Sequence, residues 1–232
     1  NRTFGNTNSE DDNFTFPKFD ASWRGLERLP VLKWMWVSSN FSSGFSKSHT
    51  RRGDNGLDEL NLTGDARKTD FAPLFQWSAR WKGQLNTTLR SNRRRSDDLR
   101  YQRNVTTGPN AQQPTLADRL IGTTLTEGSD LQADLRYAIR GQFQRSLDLP
   151  LTFNWSSQLQ SELPRSSTTN EPPAPVIRQD SKTWQLNLSA QYAFSSQFTG
   201  GANFRHERRK DRLRDLTNVA WEFRFWGEIG FQ

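Results

Sequence analysis

Between Lys182 and Arg209 the chain reads KTWQLNLSAQYAFSSQFTGGANFRHERR, and its side chains alternate in kind. Trp184, Leu186, Leu188, Ala190, Tyr192 and Phe194 fall on even positions, with Thr183, Gln185, Asn187, Ser189 and Gln191 between them. A period of two puts each set on one face of an extended strand. After the polar turn Ser195–Gln197 the alternation resumes on Phe198, Gly200, Ala202 and Phe204, against Thr199, Gly201, Asn203 and Arg205. Two such runs joined by a short polar turn predict a β-hairpin. Each run is about the 9–11 residues that a tilted strand needs to cross a bilayer.

The same unit recurs along the chain. Weaker alternation marks a first strand at Phe19, Ala21 and Trp23, and a second over Met35–Phe45. A third runs over Leu74–Trp81, with Phe75 and Trp77 on one face. The two-residue turn Lys82-Gly83 leads to a fourth on Leu85, Thr87 and Leu89. The fifth has Leu131, Leu135, Tyr137 and Ile139 against Gln132, Asp134, Arg136 and Arg140. The sixth has Leu151, Phe153 and Trp155 against Thr152 and Asn154. The hairpin supplies the seventh and eighth strands. The ninth sets Trp221, Phe223 and Phe225 against Glu222 and Arg224.

Composition decides what such strands can build. Only 32% of the 232 residues are hydrophobic, and the mean hydropathy is −0.89. That would suit a disordered chain, but 9 Trp and 16 Phe on alternating positions argue against disorder. A protein that wets one face of every strand has this composition and still folds. No apolar run is long enough for a transmembrane helix. The chain has no cysteine, so disulfides and thiolate metal sites are excluded. It begins at Asn1 with no charged-then-apolar leader, as a mature product or an internal piece would.

These features predict an all-β fold: an antiparallel transmembrane β-barrel segment of about nine strands, an up-and-down meander within a larger barrel. Residues 1–232 form one C-terminal segment. Residues 1–13 are a loop remnant, and long extracellular loops lie near 50–69, 92–127 and 162–181. Connections after strands one, three, five and seven are short, those after two, four and six long, and the one after eight intermediate, the sorting found in outer-membrane barrels. Trp23, Trp34, Trp36, Trp81, Tyr192, Phe194, Phe198, Phe225 and Phe231 gather near the short turns as one interfacial girdle.

The expected lipid-facing residues are Phe75, Trp77, Leu131, Leu135, Tyr137, Ile139, Leu151, Phe153, Trp155, Trp184, Leu186, Leu188, Tyr192, Phe194, Trp221, Phe223 and Phe225. The expected lumen-facing residues are Gln132, Asp134, Arg136, Asn154, Gln185, Asn187, Gln191, Asn203, Arg205, Glu222 and Arg224. An ordinary buried aromatic core, as in a soluble β-sandwich adhesin module, is the competing account of the apolar set. A porin or nutrient receptor for small solutes is another account of the barrel.

His49 and His206 read as surface residues near arginine, and no Ser/His/Asp spacing selects a catalytic set. The expectation is therefore no enzyme, no metal and no cofactor. Net charge is +7, concentrated in Arg93–Arg95 and His206–Arg214. No aromatics are interleaved with these runs, so single-stranded nucleic acid is not the expected partner. At the outer strand ends they read as a solvated loop base or, more sharply, as contacts to the phosphates of lipopolysaccharide and the outer-membrane lipid around it.

Several landmarks resemble a known family. They are FDASWRGLERLP at Phe19–Pro30, FAPLFQWSARW at Phe71–Trp81 with LNTTLRSNRRR after it, Leu131–Arg140, the Trp184–Phe204 hairpin and the closing strand Asn218–Phe231. Their order is similar to the C-terminal part of the SprA/Sov family, the outer-membrane translocon of the type IX secretion system. The resemblance implies a bacterial outer-membrane location and a protein-conducting pore. It also implies exported protein cargo, shuttle and plug proteins as partners, and a link to gliding motility.

Overall fold

A computed structural model describes residues 9–30, 33–54, 61–102, 119–140, 146–164, 174–195 and 197–230. Nine strands are formed among them: β1 Ser9–Arg24, β2 Trp36–Asp54, β3 Leu62–Trp81, β4 Leu85–Tyr101, β5 Leu120–Arg140, β6 Ser146–Pro164, β7 Val176–Ala193, β8 Phe198–Asp211 and β9 Leu216–Ile229. They make a single sheet in sequence order, β1 to β9, and every neighbouring pair is antiparallel. The up-and-down meander is as expected. Among the described residues no ladder joins β1 to β9.

The strands run further than the apolar alternation. β1 begins at Ser9, inside the stretch read as a loop remnant. β2 and β3 take up most of 50–69, leaving 55–61 between them. β4 and β5 shorten the 92–127 connection to 102–119, and β6 and β7 shorten 162–181 to 165–175. The extensions are mostly polar, and the few apolar residues in them, such as Leu120, Ile121, Leu125, Val176 and Ile177, keep no sustained period of two. Backbone ladders and cross-strand charges hold them: His49 Nε2 lies 2.5 Å from Asp65 Oδ1, and Arg95 lies 3.4 Å from Glu127. Residues 1–8, 31–32, 55–60, 103–118, 141–145 and 165–173, with Ser196, Phe231 and Gln232, lie outside the described residues.

The loop-length sorting holds only in part. At what we term the turn end, 82–84 and 194–197 are short, but 25–35 is not. At the opposite, loop end, 212–215 is as short as the tight turns. The β1–β2 connection is built around the 3-10 turn Leu26–Arg28, entered through Gly25 at φ 89°. The β3–β4 turn is one residue longer than read: Gly83 and Gln84 both take left-handed backbone, at φ 95° and 70°.

Register shifts fall between Thr15 and Lys18 and between Phe71 and Phe75. Pro17 and Pro73 sit within them. Proline has no amide hydrogen for the ladder, so the strand skips there.

Candidate functional site

In a ladder, directly paired residues share a face. Starting from Leu188, that rule assigns a face to each paired strand position. Leu188 pairs with Leu151 and Phe204, Leu151 with Leu135, and Phe204 with Phe223. Extended along all the ladders, it brings sixteen of the seventeen residues of the apolar set onto one face; Phe194, just past β7, packs its ring against Tyr192 and Phe198 of that face. The eleven of the polar set fall on the other, as with Gln132–Asn154–Gln185 and Asp134–Thr152–Asn187–Arg205–Glu222.

The apolar face is uncovered. Phe225 is 82% exposed, and Phe223, Trp221, Trp23 and Phe19 are all exposed. Buried hydrophobic residues are few among the described ones, Leu62 and Ala79. So the hydrophobic surface that the aromatics supply has no second layer of described residues against it.

Aromatics gather at both margins of this face rather than at one. Near the turn end, Trp36 meets Trp77 and Trp81 at 5.4 and 5.7 Å, and Phe194 meets Tyr192 and Phe198 at 5.0 and 5.1 Å. Near the loop end, Phe45 lies 4.8 Å from Phe71, and His206 stacks between Trp184 at 4.4 Å and Trp221 at 3.7 Å. His206 is therefore not a surface residue. It is 6% exposed, and its Nδ1 has no hydrogen-bond partner. The pairing Leu186–His206–Trp221 could not be read from one strand alone.

The apolar face crosses the ladders obliquely. One line of direct pairs runs Trp23, Phe41, Trp77, Leu89, Ala133, Phe153, Leu186, His206, Trp221. It enters at the turn-end limit of the β1 apolar run, with Phe14, Phe16, Phe19 and Ala21 all lying loopward. It leaves near the loop-end limit of the β9 run, with Phe223, Phe225 and Ile229 all lying turnward. Relative to the ladder, the band slips roughly one residue per strand. With a rise of about 3.4 Å along a strand and a spacing of about 4.8 Å across, that is a tilt of about 35°.

The polar face carries amides and paired charges. Gln185 donates to Asn187 at 3.0 Å and Gln132 to Asp134 at 2.8 Å. Arg205 pairs with Glu207, Arg224 with Glu222, and Arg136 with Asp148. A depression of about 620 Å3 crosses β3–β8 on this face, lined among others by Lys68, Arg94, Asp130, Gln158 and Arg209. Trp226 is an exception on this face: it pairs with Gly201 and lies across it. A Cβ on Gly201 would stand 2.8 Å from the indole ring and 2.6 Å from the Ala190 carbonyl oxygen.

At the turn end Glu27 holds the β1–β2 connection. Its Oε2 accepts from the Ser39 amide at 3.0 Å and the Ser39 hydroxyl at 2.8 Å. Backbone amide and hydroxyl donors hold its carboxyl below the ordinary 4.5. His49 and Asp65 form the one histidine–carboxylate contact among the described residues, and no hydroxyl bonds to that histidine. No group of three or more His, Cys, Asp or Glu residues able to hold a metal occurs among the described residues. No family model matches the chain, and no characterised protein matches it in sequence.

Proposed function

We propose that this chain forms part of the wall of an outer-membrane β-barrel, with the apolar face toward lipid and the polar face toward a water-filled lumen. The observation that carries the reading is the oblique band. In a transmembrane barrel the strands tilt by about 35–45° while the hydrophobic band stays level with the membrane, so the band must slip across the register. A slip of roughly one residue per strand has the right size. The ten residue steps from Trp184 to Phe194, at about 3.4 Å each and tilted by about 35°, rise roughly 28 Å. That is close to the roughly 25 Å apolar band of such barrels, and aromatics at both margins match their girdles. A soluble sandwich would instead cover Phe225, Phe223 and Trp221 with a second sheet.

Within that reading we take the resemblance to the SprA/Sov family as the guide to activity: export of folded proteins across the outer membrane by type IX secretion. A lumen wall of amides and internally paired charges lets cargo slide past without gripping it. Shuttle and plug proteins complete the function, which needs no catalytic residue or cofactor in this chain.

Topology tests the reading. The native chain has no cysteine, so single cysteines report cleanly. Arg214→Cys, in the loop-end connection 212–215, is expected to react with an impermeant maleimide on intact cells. Lys82→Cys, in the turn 82–84, is expected to react only after permeabilisation. Equal labelling of both on intact cells rules the topology out. Liposome swelling with small sugars separates a small-solute porin from a gated translocon.

A further inference from the structure

The apolar band ends at the loop end in a collar of cations and hydroxyls. On the same face, the first positions beyond the band are Lys47 after Phe45, Ser129 after Leu131, Ser157 after Trp155, Lys182 after Trp184 and Arg208 after His206. On β4, Ser91 and Arg93 follow Leu89. Four of these residues stand in one line of direct pairs across β4–β7: Arg93–Ser129–Ser157–Lys182. Three strand spacings of about 4.8 Å separate its two cations by about 14 Å, close enough for their long side chains to lean over the two serines between them.

Cations outnumber acids here by one: Arg93, Lys182 and Arg212 against Glu127 and Asp180. One step further out, the acids are already engaged: Glu127 and Asp97 with Arg95, and Asp180 with Arg212 at 3.8 Å. Among the described residues Arg93 and Lys182 have no ion-pair or hydrogen-bond partner. Ser91, Arg93, Ser129, Ser157, Lys182 and Arg212 line a depression of about 440 Å3, with Leu159 and the carboxylates of Glu127 and Asp180 at its outer rim, the latter held by Arg95 and Arg212. Its floor is hydroxyl, its flanks are cationic, and its turnward edge is the row Leu131–Trp155–Trp184.

We infer that this notch seats a phosphate of an anionic outer-leaflet glycolipid. The inference rests on the membrane reading above and names one ligand of the lipid-facing surface. Acyl chains lie along Leu131, Trp155 and Trp184. The phosphate takes charge-assisted hydrogen bonds from Arg93 and Lys182, and further ones from the Ser129 and Ser157 hydroxyls. A neutral headgroup leaves both cations unmatched.

The test titrates the full-length protein, delipidated in dodecyl maltoside, with diphosphoryl lipid A and counts adducts by native mass spectrometry. Arg93→Ala or Lys182→Ala is expected to weaken binding roughly five-fold, and the double variant roughly thirty-fold. The Arg93→Lys/Lys182→Arg exchange keeps both charges and is expected to stay within a few-fold of wild type. Lys68→Ala/Arg94→Ala, on the opposite face, is expected to bind like wild type. Dephosphorylated lipid A is expected to lose the site, and inorganic phosphate is not expected to compete. Wild-type binding by the Arg93→Ala/Lys182→Ala protein overturns the inference. So does an equal loss in the Lys68/Arg94 pair, or competition by inorganic phosphate at the lipid's concentration. Heat-modifiable gel mobility, measured on the same samples, keeps the two claims apart. Membrane-folded wild type with an indifferent notch sinks only this site, whereas a wild type that never enters membranes sinks both.

Discussion

Leu188 sits near the middle of the β7 apolar run, between Trp184 and Phe194, with Leu151 and Phe204 beside it in register. It is 43% exposed, so no other described part of the chain encloses it. If lipid surrounds it, arginine there places a guanidinium near the bilayer midplane at about 2–4 kcal/mol, falling to about 0–1 kcal/mol near the interfaces. Gln185 is the control on the other face. Its register partners are Asn154 and Glu207, so Gln185→Arg gains a carboxylate neighbour and is expected within about 0.5 kcal/mol of wild type. Arginine alone does not separate lipid from a protein core, because both reject it. Leu188→Trp does. In a packed core the added volume costs about 1–3 kcal/mol, while lipid accommodates it at almost no cost. The assay is equilibrium urea unfolding from phospholipid vesicles, scored by heat-modifiable mobility. Arginine at positions 184, 186, 188, 190 and 192 is expected to give a hump centred on 188. A flat profile, a Gln185→Arg loss equal to that of Leu188→Arg, or a core-sized loss for Leu188→Trp refutes the assignment of faces.

Gly201→Ala is expected to cost about 1–3 kcal/mol in the same assay: the indole of Trp226 can rotate away, but the Ala190 carbonyl is backbone and cannot. Pairing it with Trp226→Ala is expected to recover only part of the loss, and full recovery would place the clash in the ring alone. For Glu27 the folded-state carboxyl is held below 4.5, so its contribution is complete above the unfolded value and lost as pH falls through the folded one. Hydrogen exchange at the Gly25 amide, which donates to the Ser39 carbonyl, is expected to stay slow from neutral pH to about 5 and to speed up below the carboxylate range, against a flat Glu27→Gln profile once intrinsic exchange is divided out. In planar bilayers, residues 1–232 alone are expected to give no discrete single-channel conductance, because unpaired β1 and β9 edges leave backbone groups unsatisfied in lipid at several kcal/mol each; stable unitary steps would overturn this.

How much of this the sequence carried depends on whether a feature lives on one strand or between strands. The faces of β5–β7 and β9 were legible, because Leu135–Tyr137–Ile139 or Trp184–Leu186–Leu188 alternates with amides on the strand itself. The strand extensions were not. On β2–β4, Arg51, Asp65, Arg67, Arg95 and Asp97 carry charge on the same face as the band, and period two cannot be seen where both faces are polar. His206 looked exposed because Arg205 precedes it and the polar run ERRKDR follows, and its burial comes from Trp184 and Trp221 on the two neighbouring strands. The aromatic margin at the loop end was hidden in the same way, since Phe45 and Phe71 meet only once β2 and β3 are in register. Gly201 read as one more small polar-face residue until Trp226 was placed across it.

Strand parity sets what can close this sheet. Neighbours are antiparallel throughout, so β1 and β9 run in the same direction. A direct β1–β9 ladder would therefore be parallel, an arrangement that odd-stranded barrels need once and even-stranded bacterial barrels avoid. An all-antiparallel barrel containing this sheet needs an odd number of further strands between β9 and β1. Both edges are suited to being covered rather than wetted. β9 presents Val219, Trp221, Phe223, Phe225 and Ile229 on one face, and β1 presents Phe14, Phe16, Phe19 and Trp23, all of them exposed. In such a barrel the slip of the band would fix the register of those strands. Each added strand has to carry its own apolar run about one residue further along the ladder than the strand before it, or the hydrophobic belt breaks at the seam. The position at which alternating aromatics begin along a neighbouring strand therefore decides whether that strand can pair with β9 or β1 and keep the belt level.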